Sequence, residues 1–172
     1  MGFARHTYIS MPSSIYTRMS KDNYFRMGYH YQVSGDLHAA ADCYIRSIEN
    51  APNAEAHTFL GWVLAMMGEF DRAIEECQKA LKLDPDFGNA WNDIGAYLTE
   101  RGDFDKALPY LKRAAKSKNY DSPEYAFYNL GRVYIHKEML VMARKHLQKA
   151  VTLNKGFQSA HRLLSNLDNQ IH

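Results

Sequence analysis

The sequence predicts an all-α solenoid of four helical hairpins closed by a C-terminal capping helix, and three observations predict it. The stretch from Ala54 to Phe87 holds two apolar-periodic runs, separated by Met67-Gly68-Glu69 and ended by Asp84-Pro85. Leu60, Gly61 and Leu64 recur at helical spacing in the first run, and Ala73, Cys77, Ala80 and Leu81 in the second. Second, the pattern around Gly61 returns around Gly28, Gly95 and Gly131, at offsets of 33, 34 and 36 residues. Third, alanine stands twelve residues after each of these glycines, at Ala40, Ala73, Ala107 and Ala143. Glycine and alanine in those columns let two helices approach closely, while larger neighbours fill the space between hairpins.

The elements follow in order. The hairpins are predicted over 21–34 with 37–50, 54–67 with 70–83, 88–101 with 104–117, and 124–137 with 140–153. Core columns lie four residues before each glycine (Tyr24, His57, Trp91, Phe127), one before (Met27, Leu60, Ile94, Leu130) and three after (Tyr31, Leu64, Leu98, Tyr134). Seven after come Gly35, Gly68 and Gly102, where the first helix must stop and only glycine takes a left-handed cap without penalty. Glu138 breaks that column, so the last turn is expected to be irregular. Leu37, Phe70, Phe104 and Leu140 begin the second helices. Pro85 closes the second hairpin, because proline cannot donate the next backbone bond; Asn119 and Lys155 replace it in the third and fourth. Pro109 falls near the first turns of its helix, where a missing donor costs least. Residues 118–123 carry Asn, Asp, Ser and Pro and read as a loop. The capping helix is predicted over 158–169, with His161, Leu164 and Leu167 inward and Ser165 and Asp168 outward, a polarity that covers the core on one face and meets water on the other.

This succession of aromatic, Leu-Gly, Tyr, Ala, aromatic and Pro positions resembles the tetratricopeptide repeat family, over residues 21–157 with the last helix extending it. The resemblance implies a right-handed superhelix of repeats at 21–53, 54–87, 88–123 and 124–157. It also implies that the first helices line a concave channel holding an extended peptide or a partner helix. The family's clamp for C-terminal carboxylates is not implied: it needs Lys and Asn where Phe25, Tyr29, Thr58, Trp62 and Asp93 stand.

Composition is that of an ordinary globular chain, 172 residues with 46% apolar and 23% charged. No run approaches the ~18–20 apolar residues of a membrane span, and the first twenty residues lack the apolar core of a secretory signal. Residues 1–20 carry no repeat pattern and read as a flexible tail, basic and acid-free; organelle targeting by that tail is the alternative to a cytoplasmic location. Cys43 and Cys77 are expected as buried thiols in a reducing compartment.

No catalytic, metal or cofactor constellation is present in the sequence. No two of the eight histidines lie three to five residues apart, and His57 and His161 stand in a packing column. Neither a CxxC pair nor a phosphate-cradling glycine loop occurs. The expected function is a non-catalytic scaffold.

The candidate site is the face opposite the core columns. On a helical wheel, residues six and two before each glycine and one and five after it point away from the core and should be polar. In the second hairpin they include Phe59, Trp62 and Met66, three large apolar groups that call for a partner. The first hairpin adds Tyr29, Val33 and, flanking, Phe25; the third offers Asn89, Asp93, Ala96 and Glu100 with Asn92 flanking, and the fourth Tyr125, Asn129, Arg132 and His136 with Tyr128 flanking. The capping helix contributes Arg162. Aromatics supply contact area at low entropic cost, Asn side chains can pair with a bound backbone, and Arg132 and Arg162 can receive a carboxylate. The alternative is that Phe59, Trp62 and Met66 pack against their own chain.

Charge is split along the sequence. Residues 21–103 hold seven Lys plus Arg against fourteen Asp plus Glu, and residues 104–172 hold twelve against five, so −7 faces +7. A second expectation is therefore a homo-oligomer stacked head to tail, acidic end on basic end. Nucleic acid is disfavoured, since the overall charge is only +2 and the basic residues lack interleaved exposed aromatics.

Overall fold

In the computed structural model, residues 20–171 are described, and they form nine helices. These are α1 (Lys21–Ser34), α2 (Leu37–Asn50), α3 (Ala54–Met66), α4 (Phe70–Leu83), α5 (Gly88–Glu100), α6 (Phe104–Ala114), α7 (Glu124–His136), α8 (Leu140–Leu153) and α9 (Gln158–Ile171). Helices pair as α1 with α2, α3 with α4, α5 with α6 and α7 with α8, and each hairpin leans on the next. The first helices α3, α5 and α7 also touch in succession, so they share one continuous wall. This is the all-α solenoid the repeat pattern predicts. The tail expected at residues 1–20 lies, apart from Ser20, outside the described residues. Among the described residues no helix is long and apolar enough to cross a membrane.

The repeat columns become the core. Ala40, Ala73, Ala107 and Ala143 are all fully buried, as are Tyr24, Ile94 and Leu130. A Cβ placed at Gly95 or Gly131 would stand 2.5 or 2.7 Å from the side chain of Leu111 or Leu147, so these helix pairs close only over glycine. Cys43 and Cys77 are buried free thiols. His57 packs as its column requires and also places Nδ1 2.7 Å from Glu76 Oε2. His161, expected inward, is exposed; its Nε2 donates to the Lys155 carbonyl at 2.9 Å, as Trp91 Nε1, in the same column two repeats earlier, donates to Pro85 O at 3.0 Å. Ala160 and Leu167 carry the inner face of α9 instead.

Turns follow a single design. Gly35, Gly68 and Gly102 have φ of 86°, 83° and 82°. After each, a backbone N–H reaches back across the turn: Asp36 to Tyr31 O, Glu69 to Leu64 O and Asp103 to Leu98 O, at 2.8–3.0 Å. Glu138 adopts φ 57° and its turn makes the same bond, Met139 N–H to Tyr134 O at 2.9 Å. The irregularity expected there does not occur, because the backbone bond holds a non-glycine residue in the left-handed region.

α3, α5 and α7 end one residue before their predicted limits, and α6 ends three before. The early end of α6 has a cause 31 residues upstream. Asp86 captures the chain: its carbonyl accepts from Ser117 Oγ, its Oδ2 from Lys118 N–H at 3.1 Å, and its Oδ1 from Arg113 at 3.3 Å. Gly88 N–H then donates to Asn119 O at 2.7 Å, and Tyr120 sits where any side chain at position 88 would overlap it. The link after α6 is thereby fixed against the start of α5.

Candidate functional site

The wall made by α1, α3, α5 and α7 carries an aromatic cluster built from the pattern of α3. Phe59 lies partly buried between hairpins, its ring 4.9 Å from Phe25, 6.3 Å from Tyr29, 5.7 Å from Tyr44 and 6.0 Å from Trp62. Edge-on and tilted rings at these distances attract one another. Phe59 thus joins the first two hairpins. Trp62, Met66 and Tyr29 remain 49%, 50% and 52% exposed, so the chain itself leaves them half uncovered. Trp62 lines a cleft on each side of it. The smaller, of about 220 Å³, is shared with Tyr29, Val33 and Met66. The larger, of about 440 Å³, lies between α3 and α5.

The larger cleft joins four parts of the chain. Phe59 and Trp62 come from α3, Asp93 and Tyr97 from α5, Tyr120 and Ser122 from the link after α6, and Tyr125 from α7. Asp93 is half-buried and accepts one hydrogen bond, from Asn92 Nδ2 at 3.2 Å; among the described residues no basic side chain pairs with it. Burial pushes its carboxyl up to about 7, against the pull of that bond. The Tyr97 hydroxyl is buried and has no hydrogen-bond partner among the described residues, in a side chain only 7% exposed. Burial first, then Asp93 and Cys77, pushes that phenol well above its usual range; burial, Asp93 and Glu124 do the same to Tyr120.

The other predicted residues separate into groups. Asn92 and Asn129 are buried and turn to one another, Asn129 Nδ2 donating to Asn92 Oδ1 at 3.0 Å, which ties α5 to α7. Arg132 donates to Glu100 Oε1 at 2.6 Å and to Asn129 Oδ1 at 3.4 Å, so its charge is already engaged. Tyr125 is half exposed and Tyr128 half-buried, with rings 4.8 and 5.1 Å from Phe157. Arg162 is exposed on α9 and lines neither cleft beside Trp62. The structure therefore brings Phe25, Tyr29, Phe59, Trp62 and Met66 together, with Asn92 and Tyr125 also lining the larger cleft. The helical wheel puts Asp93 on this face, in the column of Phe59 and Asn129, without marking it as a contact; sequence reasoning misses Tyr97 and Tyr120 as cleft residues. Tyr120 carries no signal, because the Asp86 hydrogen bonds place it.

Two further openings, of about 380 and 540 Å³, lie at the start of α1, lined largely by charged side chains, and between α4 and α6, lined by charged and apolar side chains in equal part. Neither gathers exposed aromatic surface as the Trp62 face does.

Models of the tetratricopeptide repeat match residues 25–86, 76–108 and 125–157. The chain is a tetratricopeptide repeat protein. Among relatives of this repeat protein, the type IV pilus assembly protein PilF of Pseudomonas aeruginosa is 28% identical over 138 residues, 80% of the chain and 55% of PilF. The BBSome complex member BBS4 of Bos taurus is 30% identical over 128 residues, 74% of the chain and 24% of BBS4. The chain thus spans about half of one relative and a quarter of the other. A solved structure of Pseudomonas aeruginosa PilF superposes with a TM-score of 0.81 at 26% identity, covering 87% of this chain and 68% of that one. The type IV pilus biogenesis factor PilW superposes with a TM-score of 0.79, covering 87% and 69%; at 19% identity it shares the fold alone. Tetratricopeptide repeat folds serve as protein-interaction scaffolds, so protein or peptide partners are the class this architecture takes.

Proposed function

We propose that the chain holds an extended peptide, or an extended segment of a partner protein, along the wall of α1, α3, α5 and α7, with Tyr29, Trp62, Met66 and Tyr125 as its principal contacts. The observation that carries this reading is Trp62: an indole half exposed between two clefts, on a face that a free-standing helix would make polar. Tryptophan and tyrosine dominate binding energy where a partner completes their burial. The polar ladder of Asn92, Asn129 and Arg132 holds α5 and α7 in place beside the cleft rather than meeting the ligand first.

Trp62→Ala tests the reading. Affinity for the partner should fall at least about thirtyfold, equivalent to ~2 kcal/mol, while thermal stability stays within about 1 kcal/mol because the indole is half in water. The check is affinity capture from lysate with wild type and variant side by side, with identified proteins quantified. Equal retention of every captured protein by both would overturn it, and so would loss of the fold.

The charge split supports a second reading, head-to-tail self-association. Arg113 with Asp86 and Arg132 with Glu100 already pair part of that charge between the two halves of one molecule. The peptide reading is preferred for that reason. Light scattering at two salt concentrations separates them, since a charge-driven stack dissociates as salt screens it.

A further inference from the structure

The cleft between α3 and α5 has a chemistry that selects among peptides. Its lining combines the rings of Phe59, Trp62, Tyr120 and Tyr125 with the neutral polar side chains of Asn89 and Asn92, and its one carboxylate is Asp93. A carboxylate among aromatics, with no basic partner among the described residues, is a half-finished ion pair. Leaving such a group unmet is costly, and a ligand that meets it recovers that cost on binding.

An anion is excluded by Asp93 and by the electron-rich ring faces. A purely apolar side chain would fill the volume and leave the carboxylate unmet. A cation suits both features: aromatic rings attract it, and the carboxylate neutralises it. Arginine fits better than lysine, because a planar guanidinium stacks on rings, is weakly hydrated, and presents a fork of donors that matches a carboxylate. The volume of about 440 Å³ is within the range of sites that enclose ligand groups of this size. We propose that this cleft is a specificity pocket for a basic side chain, arginine before lysine, of the bound peptide, with Asp93 as counter-ion and Trp62 and Tyr125 as flanking rings. The inference rests on the peptide-holding function proposed above and names what that peptide must carry.

Charge state gives the pocket a pH dependence. The titratable groups facing Asp93 are Cys77 from α4, Tyr97 on its own helix and Tyr120 from the link, and all three are pushed towards their neutral forms. Among these groups, only Asp93 changes charge near neutrality. A cation therefore binds the ionised form, and its retention rises as pH passes from about 6 to 8.

The experiment uses the full chain and a displayed library of random extended peptides, selected on wild type, Asp93→Asn and Trp62→Ala. Wild type should enrich peptides with arginine or lysine at one fixed position, and replacing that residue by glutamine should weaken binding at least about tenfold. Asp93→Asn, nearly isosteric and still able to accept the Asn92 bond, should bind basic and glutamine peptides alike and lose the rise with pH. Peptides retained by wild type without a basic preference, or a preference that survives Asp93→Asn, overturn the pocket while leaving the peptide-holding function standing. No peptide retained above background overturns that function itself. Two further arms identify rival occupants. If basic enrichment emerges only when Arg5 and Arg18 are both changed to Gln, the chain's own arginines fill the cleft. If wild type weighs more than one chain by light scattering and Asp93→Asn weighs one, a second copy fills it. Either result overturns a partner peptide as the occupant.

Discussion

Asp93 and Glu76 show how one physical effect gives opposite outcomes at two carboxylates. Burial raises the affinity of each for its proton. At Glu76 hydrogen bonds from His57 and Lys79 overcome that effect and hold the carboxyl below its ordinary value. Its contribution to stability is therefore present above the unfolded value and lost as pH falls through the folded one. Asp93 receives only the Asn92 bond, and its folded value of about 7 exceeds the reference value of 3.8. Between those two values the folded protein holds a proton that the unfolded chain has released, so this group makes stability decline as pH rises from about 4 to 7. Asp93→Asn should match wild type near pH 4 and melt higher at pH 8, by the equivalent of about 1–3 kcal/mol once partial solvent access is allowed for. Thermal melts of both proteins at pH 4, 6 and 8 measure this. A gap of the same size at all three would mean that the carboxyl does not titrate in that window.

Turns and helix ends show what a repeated pattern can and cannot specify. Four hairpins aligned by their glycines place Gly35, Gly68, Gly102 and Glu138 at one turn position, and the structure puts all four in the left-handed region. Glu138 pays a conformational penalty there that glycine does not. Glu138→Gly should thus stabilise the protein by about 0.5–1 kcal/mol, a rise of roughly 1–4 °C in melting temperature; a drop would show that the Glu138 side chain makes contacts worth more than the strain. Helix existence, the close glycine contacts and the buried alanines were legible because each is a local property repeated four times. The length of α6 and the place of Tyr120 were not, because they depend on Asp86, more than thirty residues away. Within the candidate site, periodicity gave the direction of Phe59, Trp62 and Met66 but could not say that Phe59 would meet Phe25 and Tyr44 of the preceding hairpin. Nor could it say that Asn92, Asn129 and Arg132 would satisfy one another and Glu100.

A linear array has stability approximately equal to that of its hairpins plus the interfaces between neighbours. Ion pairs such as Arg132 with Glu100 and Arg144 with Asp168 cross those interfaces, but exposed pairs contribute at most about 1 kcal/mol each, and salt weakens them. Apolar contact and close helix approach hold the array together, and Gly95 is where α5 and α6 approach over a glycine. A methyl there would meet Leu111 Cδ2 and Cγ at 2.5 Å and its backbone nitrogen at 3.3 Å, so α5 and α6 must separate or Leu111 must leave its packed position. Gly95→Ala should destabilise by about 1–3 kcal/mol, reduced somewhat by the better helix propensity of alanine. Because coupling passes only between neighbours, the damage should be uneven. Hydrogen exchange should accelerate most in α5 and α6, next in α4 and α7, and least in α1 and α2, which keep their own interface intact. Equal acceleration in every helix would instead mean that the hairpins unfold as one cooperative unit. In that case a ligand seated between α3 and α5 would stabilise α1 and α8 as strongly as the helices it touches.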